Sequence, residues 1–151
     1  MDGVSESNTG PRLSYVIGRL DRTLRRQIEE TIQPHGLTVP EFTTLSVLGR
    51  RAGLSNAQLA RRALITPQSM SQVLSALIAK GLVRREQDPN HGRLLRSELT
   101  AAGRSVLARC EARVDELERR MLDGIGGEDE RRLAAMLASC VHRLGAGLGD
   151  H

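Results

Sequence analysis

Apolar residues recur at three- and four-residue steps near the start of the chain: Leu13, Val16, Ile17, Leu20, Leu24, Ile28 and Ile32. That spacing lines them up on one stripe of an α-helix of about 22 residues, roughly 33 Å long. Pro11 suits its first turn, and Pro34-His35-Gly36 stops it. A terminal helix this long needs a partner for its stripe.

Capping signals then follow one another closely. Thr38-Val39-Pro40-Glu41 is a capping box opening a second helix, with Phe42, Leu45 and Leu48 on one face and Ala52-Gly53 at its close. Ser55-Asn56-Ala57-Gln58 opens a short third helix with Leu59 and Ala60 inward. After a turn at Leu64-Ile65, Thr66 caps a fourth helix with Pro67 at its first position. Met70, Val73, Leu74, Leu77 and Ile78 form its buried stripe, and Gly81 ends it.

The period next changes from helical to alternating. Leu82 to Glu86 reads as a strand, Asp88-Pro89-Asn90-His91-Gly92 as a turn, and Arg93 to Leu99 as the returning strand. Leu95, Ser97 and Leu99 share one face; Arg96 and Glu98 share the other. Thr100 caps a fifth helix with Val106, Leu107, Cys110, Val114, Leu117 and Met121 along its stripe. Gly124 to Gly127 break it. Glu128, Asp129 and Glu130 open a sixth helix, where acids complement the helix dipole. Its stripe is Leu133, Met136, Leu137, Cys140, Val141 and Leu144. Residues 1–10 are expected to form a disordered tail, and residues 145–151 to fray. The predicted fold is mainly α with a small β-hairpin wing: a winged helix-turn-helix with six helices, whose lobe spans residues 38–100.

Composition narrows the function. Tyr15 and Phe42 are the only aromatic residues. That excludes binders that stack single-stranded bases on exposed rings. Charge is uneven: residues 1–37 are neutral, residues 38–100 carry +5, and residues 101–151 carry −1. A basic centre between near-neutral ends points the centre at a polyanion. With no long apolar run and a polar, acidic beginning, the chain is expected to be cytoplasmic, with no membrane partner. The four histidines do not pair with Cys or carboxylates at ligand spacing, so no metal or other cofactor is expected. No nucleophile elbow, phosphate loop or metalloprotease motif supports an enzyme.

The fourth helix carries the sharpest signal. Over 15 residues it has no acid, and it turns Gln68, Ser69, Ser71, Gln72, Ser75 and Ala79 outward. Gln bonds adenine at two points, and Ser meets bases or phosphates. Thr66, Ser55 and Asn56 stand at helix N-termini, where a phosphate is favoured. In the hairpin, Arg93 sits by the tip, placed for a minor groove. Arg84, Arg85 and Arg96 are placed for phosphates. The competing reading is a winged-helix module for protein interaction or dimerisation without DNA specificity.

Lys80-Gly81-Leu82-Val83-Arg84-Arg85, then Asp88-Pro89-Asn90-His91-Gly92-Arg93, then Leu99-Thr100 is similar to the MarR (multiple antibiotic resistance regulator) family of transcription factors. The resemblance covers about Leu13 to Leu144. It implies a double-stranded DNA operator as partner and Arg93 as the minor-groove residue. His91 departs from the pattern, standing where the family usually has an aspartate that braces the wing arginine. The resemblance also implies a homodimeric repressor, with residues 11–37 and 101–145 as dimerisation helices. Leu13, Val16, Ile17, Leu20, Leu24, Leu133, Leu137, Val141 and Leu144 are then the expected interface. A small phenolic or aromatic anion is the implied ligand, with Tyr15, Arg19, His35 and Phe42 as its candidate contacts. Some family members sense peroxide through a cysteine near the start of the first helix. Here Pro11 to Leu20 has none, and Cys110 and Cys140 are expected to be packed.

Overall fold

The computed structural model describes residues 10–145. All but Gly10 of the expected tail, and all but Gly145 of the frayed end, lie outside them. The order is α1 (Leu13–Ile32), a 3-10 turn (Gln33–His35), α2 (Val39–Arg50), α3 (Asn56–Ala63), α4 (Pro67–Ala79), β1 (Val83–Asp88), β2 (His91–Leu99), α5 (Ala101–Met121) and α6 (Gly127–Arg143). Pro11 precedes α1 rather than entering it; Arg12 is the N-cap.

Four caps form as their sequences require. The Thr38 and Ser55 hydroxyls accept from the N–H groups of Glu41 and Gln58, whose side chains accept in return from the cap N–H groups. Thr66 and Thr100 accept from the N–H groups of Ser69 and Gly103. Each such cap is worth about 1 kcal/mol. Leu64 ends α3 in the left-handed region at φ 58° while 81% exposed. That conformation strains a leucine, and no packing compensates. Leu64→Gly is expected to stabilise the fold by roughly 0.5–1 kcal/mol, after glycine's own entropy cost, read as a higher melting temperature.

The core lies where α1 ends and α2, α3, α4, the hairpin base and the first half of α5 meet. Ile32, Leu45, Leu59, Met70, Leu74, Leu77 and Cys110 are fully buried there. Burial pushes the Cys110 thiol pKa up, as expected of a packed cysteine. Val73 is only half-buried and Ile78 is exposed, so the stripe of α4 is narrower than its spacing predicts. The hairpin turns on two residues, Pro89 and Asn90, not on the five turn formers. β2 is also paired on its far side: Ser97 N–H donates to Leu54 O at 2.9 Å, and Gly53 N–H to Ser97 O at 3.1 Å.

α4, the hairpin and α5 meet at Gly81-Leu82. Gly81 turns the chain at φ 72°. Thr100 Oγ1 donates to Gly81 O at 2.7 Å, and Thr100 N–H to Leu82 O at 3.0 Å. Gly103 packs directly on that Leu82 carbonyl.

α6 buries none of its residues. Met136 is 59% exposed and Leu144 88%. Leu137 is exposed, and Leu133 and Val141 are half-buried. Cys140, expected to be packed, is exposed in the single chain. On α1, Leu13, Val16, Ile17 and Leu20 are exposed and Leu24 is half-buried.

Candidate nucleic-acid interface

α3, α4 and the hairpin enclose a cleft of about 370 Å³ lined by Ser55, Asn56, Ser71, Arg85, Arg93 and Leu95, among others. Its arginines differ in what they do. Arg85 and Arg93 have no ion-pair partner among the described residues. Arg84 lies on the other face, with Nη2 at 2.9 Å from Glu98 and Nε at 3.5 Å from Glu86. Its charge is locally cancelled.

Arg96, expected to meet phosphates, is also held within the chain: Nε donates to Asp88 Oδ2 and Nη1 to Gly53 O at 2.6 Å, while the side chain stays 41% exposed. Asp88 is 3% exposed, and its other oxygen accepts from Asn90 N–H at 2.8 Å. The Asn90 bond first, then Arg96, lowers the Asp88 pKa, outweighing the cost of burial; the nearby His91 acts in the same direction. The brace in this wing is therefore Asp88–Arg96, and no hydrogen bond joins His91 to Arg93 among the described residues. A lowered carboxyl pKa contributes stability that is full above the ordinary carboxylate range near 4 and is lost as pH falls through the folded value. Wing order is therefore expected to be flat between about pH 5 and 8 and to fail only in acid. Loss of the cross-strand contacts between Glu86 and Arg96, read as NOEs, anywhere between about pH 5 and 8 would contradict this.

Ser55, Thr66 and Asn56 make hydrogen bonds within the chain. The two hydroxyls cap helices, and Ser55 is buried. Asn56 Nδ2 donates to Pro67 O and Ser71 Oγ, both at 3.2 Å, tying the start of α3 to α4. Its Oδ1 is buried without a partner, a cost of about 1–3 kcal/mol. Gln68, Ser69, Gln72 and Ser75 are exposed on α4. Lys80 ends α4 as its C-cap. Its Nζ donates to Glu41 Oε2 at 2.7 Å and to Gly36 O at 2.8 Å, fastening the end of α4 to the α1–α2 corner. Only its neighbourhood to Gly81 was legible in the sequence, since both partners lie about 40 residues away.

The ligand candidates are not gathered into one site. Tyr15 and Arg19 stand one turn apart on exposed α1, with Nη1 to Oη at 3.5 Å. His35 and Phe42 are half-buried on the 3-10 turn and α2, and Phe42 packs on the core. A groove of about 280 Å³ lies instead between α1 and α5, lined by Leu20, Leu24, Gln27, Leu117, Arg120 and Met121, with Thr23.

A helix-turn-helix with an acid-free second helix, flanked by a braced hairpin bearing unpaired arginines, defines a winged-helix DNA-binding protein. Comparison narrows this. A MarR family model matches residues 35–94. The HTH-type transcriptional repressor Rv2887 of Mycobacterium tuberculosis is 39% identical over 125 residues, spanning 83% of this chain and 90% of that protein. The crystal structure of Rv2887 in complex with DNA aligns with a TM-score of 0.71 at 35% identity, covering 91% of this chain and 100% of that one. Its complex with p-aminosalicylic acid aligns at 0.69 and 36% identity, covering 90% and 100%. The chain belongs to the MarR family of winged-helix transcriptional regulators. No helix among the described residues is long and apolar enough to cross a membrane.

Proposed function

We propose that two copies of this chain bind one near-palindromic duplex as a cytoplasmic repressor, and that a small aromatic anion releases it. One observation carries the DNA reading: Arg85 and Arg93 lie unneutralised in a cleft beside an acid-free helix face. Rv2887, a relative named as a repressor, has been solved with DNA and with p-aminosalicylic acid. Residues 38–100 form the DNA-binding lobe in this reading. Residues 11–37 and 101–145 form the dimerisation region, and Arg19 with Tyr15 offers the anion contact.

Fluorescence anisotropy with duplexes from beside the coding region tests it. Log affinity should fall linearly with log salt; a slope near zero removes phosphate contacts from the account. Arg93→Ala is expected to cost about 1–3 kcal/mol in operator binding and to lower the salt slope. Arg84→Ala, already paired to Glu98 and Glu86, should change affinity far less. Equal losses in the two variants would reject this sorting of the arginines.

A further inference from the structure

Two-point reading of an adenine edge requires a side chain whose donor and acceptor are both free. On the outward face of α4 the hydroxyls are largely committed. Thr66 Oγ1 accepts from Ser69 N–H at 3.1 Å and donates to Ser69 Oγ at 2.9 Å. Ser71 Oγ donates to Pro67 O at 3.1 Å, and Ser75 Oγ to Ser71 O at 2.9 Å. The protons of Thr66, Ser71 and Ser75 are therefore used inside the protein. Lys80, the cation at the end of the helix, is held by Glu41 and Gly36.

Gln68 and Gln72 are different. Both are exposed, and neither amide has a hydrogen-bond partner among the described residues. Four residues apart, they lie on the same face with Cβ atoms about 5–6 Å from each other. Successive base pairs rise about 3.4 Å. The two amides thus span one or two base steps. A glutamine amide matches adenine at both ends: its oxygen accepts from N6–H, and its N–H donates to N7. No arginine on this face favours guanine, and no acid favours cytosine.

We propose that Gln68 and Gln72 are the base-reading residues, and that each half-site carries two adenines one or two steps apart, contacted by these amides. The proposal rests on the DNA-binding reading above.

Selection from a random duplex library by the full chain, and by Gln68→Ala and Gln72→Ala, tests it. The parent should enrich two such adenines per half-site. Each variant should lose preference at one of them, with roughly tenfold weaker binding to the parent's best sequence. Binding to unrelated DNA should stay unchanged, because phosphate contacts remain. Replacing either adenine with 7-deazaadenine, which removes the N7 acceptor but keeps pairing, should weaken the parent similarly and leave the matching variant unaffected. Variants that enrich the parent's sequences unaltered, or a parent half-site without paired adenines, overturn the proposal. A parent that enriches no sequence at all overturns the DNA reading itself.

Discussion

If two copies pair as proposed, the parent sediments at twice its chain mass, and Leu137→Asp is expected to sediment at 16.5 kDa. Leu137 lies on α6, none of whose residues is fully buried although its stripe is apolar from Leu133 to Leu144. A second copy covering that stripe would enclose the new carboxylate without a partner, at a cost of several kcal/mol. The protomer's core does not involve Leu137, so circular dichroism should still show a helical chain. Operator affinity should collapse, because two linked lobes bind far more tightly than one. Leu24→Asp is a less clean test, since Leu24 also lines the α1–α5 groove within the protomer. An unchanged sedimentation profile for Leu137→Asp would place the seam elsewhere.

The second large effect is on folding. A Cβ at Gly103 would overlap the carbonyl oxygen of Leu82, and nearby backbone carbon as well. No side-chain rotation relieves a clash with backbone. The same carbonyl accepts from Thr100 N–H, so retreat breaks a hydrogen bond. Gly103→Ala should therefore cost about 3 kcal/mol or more, at the upper end of overpacking. Although alanine is the better helix former, its advantage over glycine is only about 1 kcal/mol. The expected readout is a melting temperature lower by roughly 10 °C. At Gly49 the nearest atom to an added Cβ is instead the end of the Leu107 side chain, which can rotate away. Gly49→Ala should be much milder, and equal losses at the two glycines would contradict the backbone explanation.

Much of the fold was legible because its determinants are local. Thr38, Ser55, Thr66 and Thr100 cap helices through bonds that span three residues, so each cap and its partner appear together in the chain. The stripes of α1, α5 and α6 follow from spacing alone. The site was less legible because it depends on distant pairings. Arg96 lies on a strand face that alternation marks as outward. It is tethered because residues 53–54 pair with the far side of β2 and bring the Gly53 carbonyl to its guanidinium. That contact spans 43 residues. Arg93, with neither an ion-pair partner nor such a neighbour among the described residues, is exposed as its position predicts. The apolar stripe of α6 was visible in the sequence, yet only the fold shows that its own chain leaves Met136, Leu137 and Leu144 exposed.

Lys80 gives the α1–α2 corner mechanical purchase on α4. Its ammonium grips Glu41, which is buried, and the carbonyl of Gly36, where the chain reverses. Swinging α1 about that reversal must either drag the tail of α4 with it or tear apart a half-buried ion pair. Corner and helix are fastened at one point, so under the proposed ligand release a push on α1 would reach α4 without a long relay of side chains.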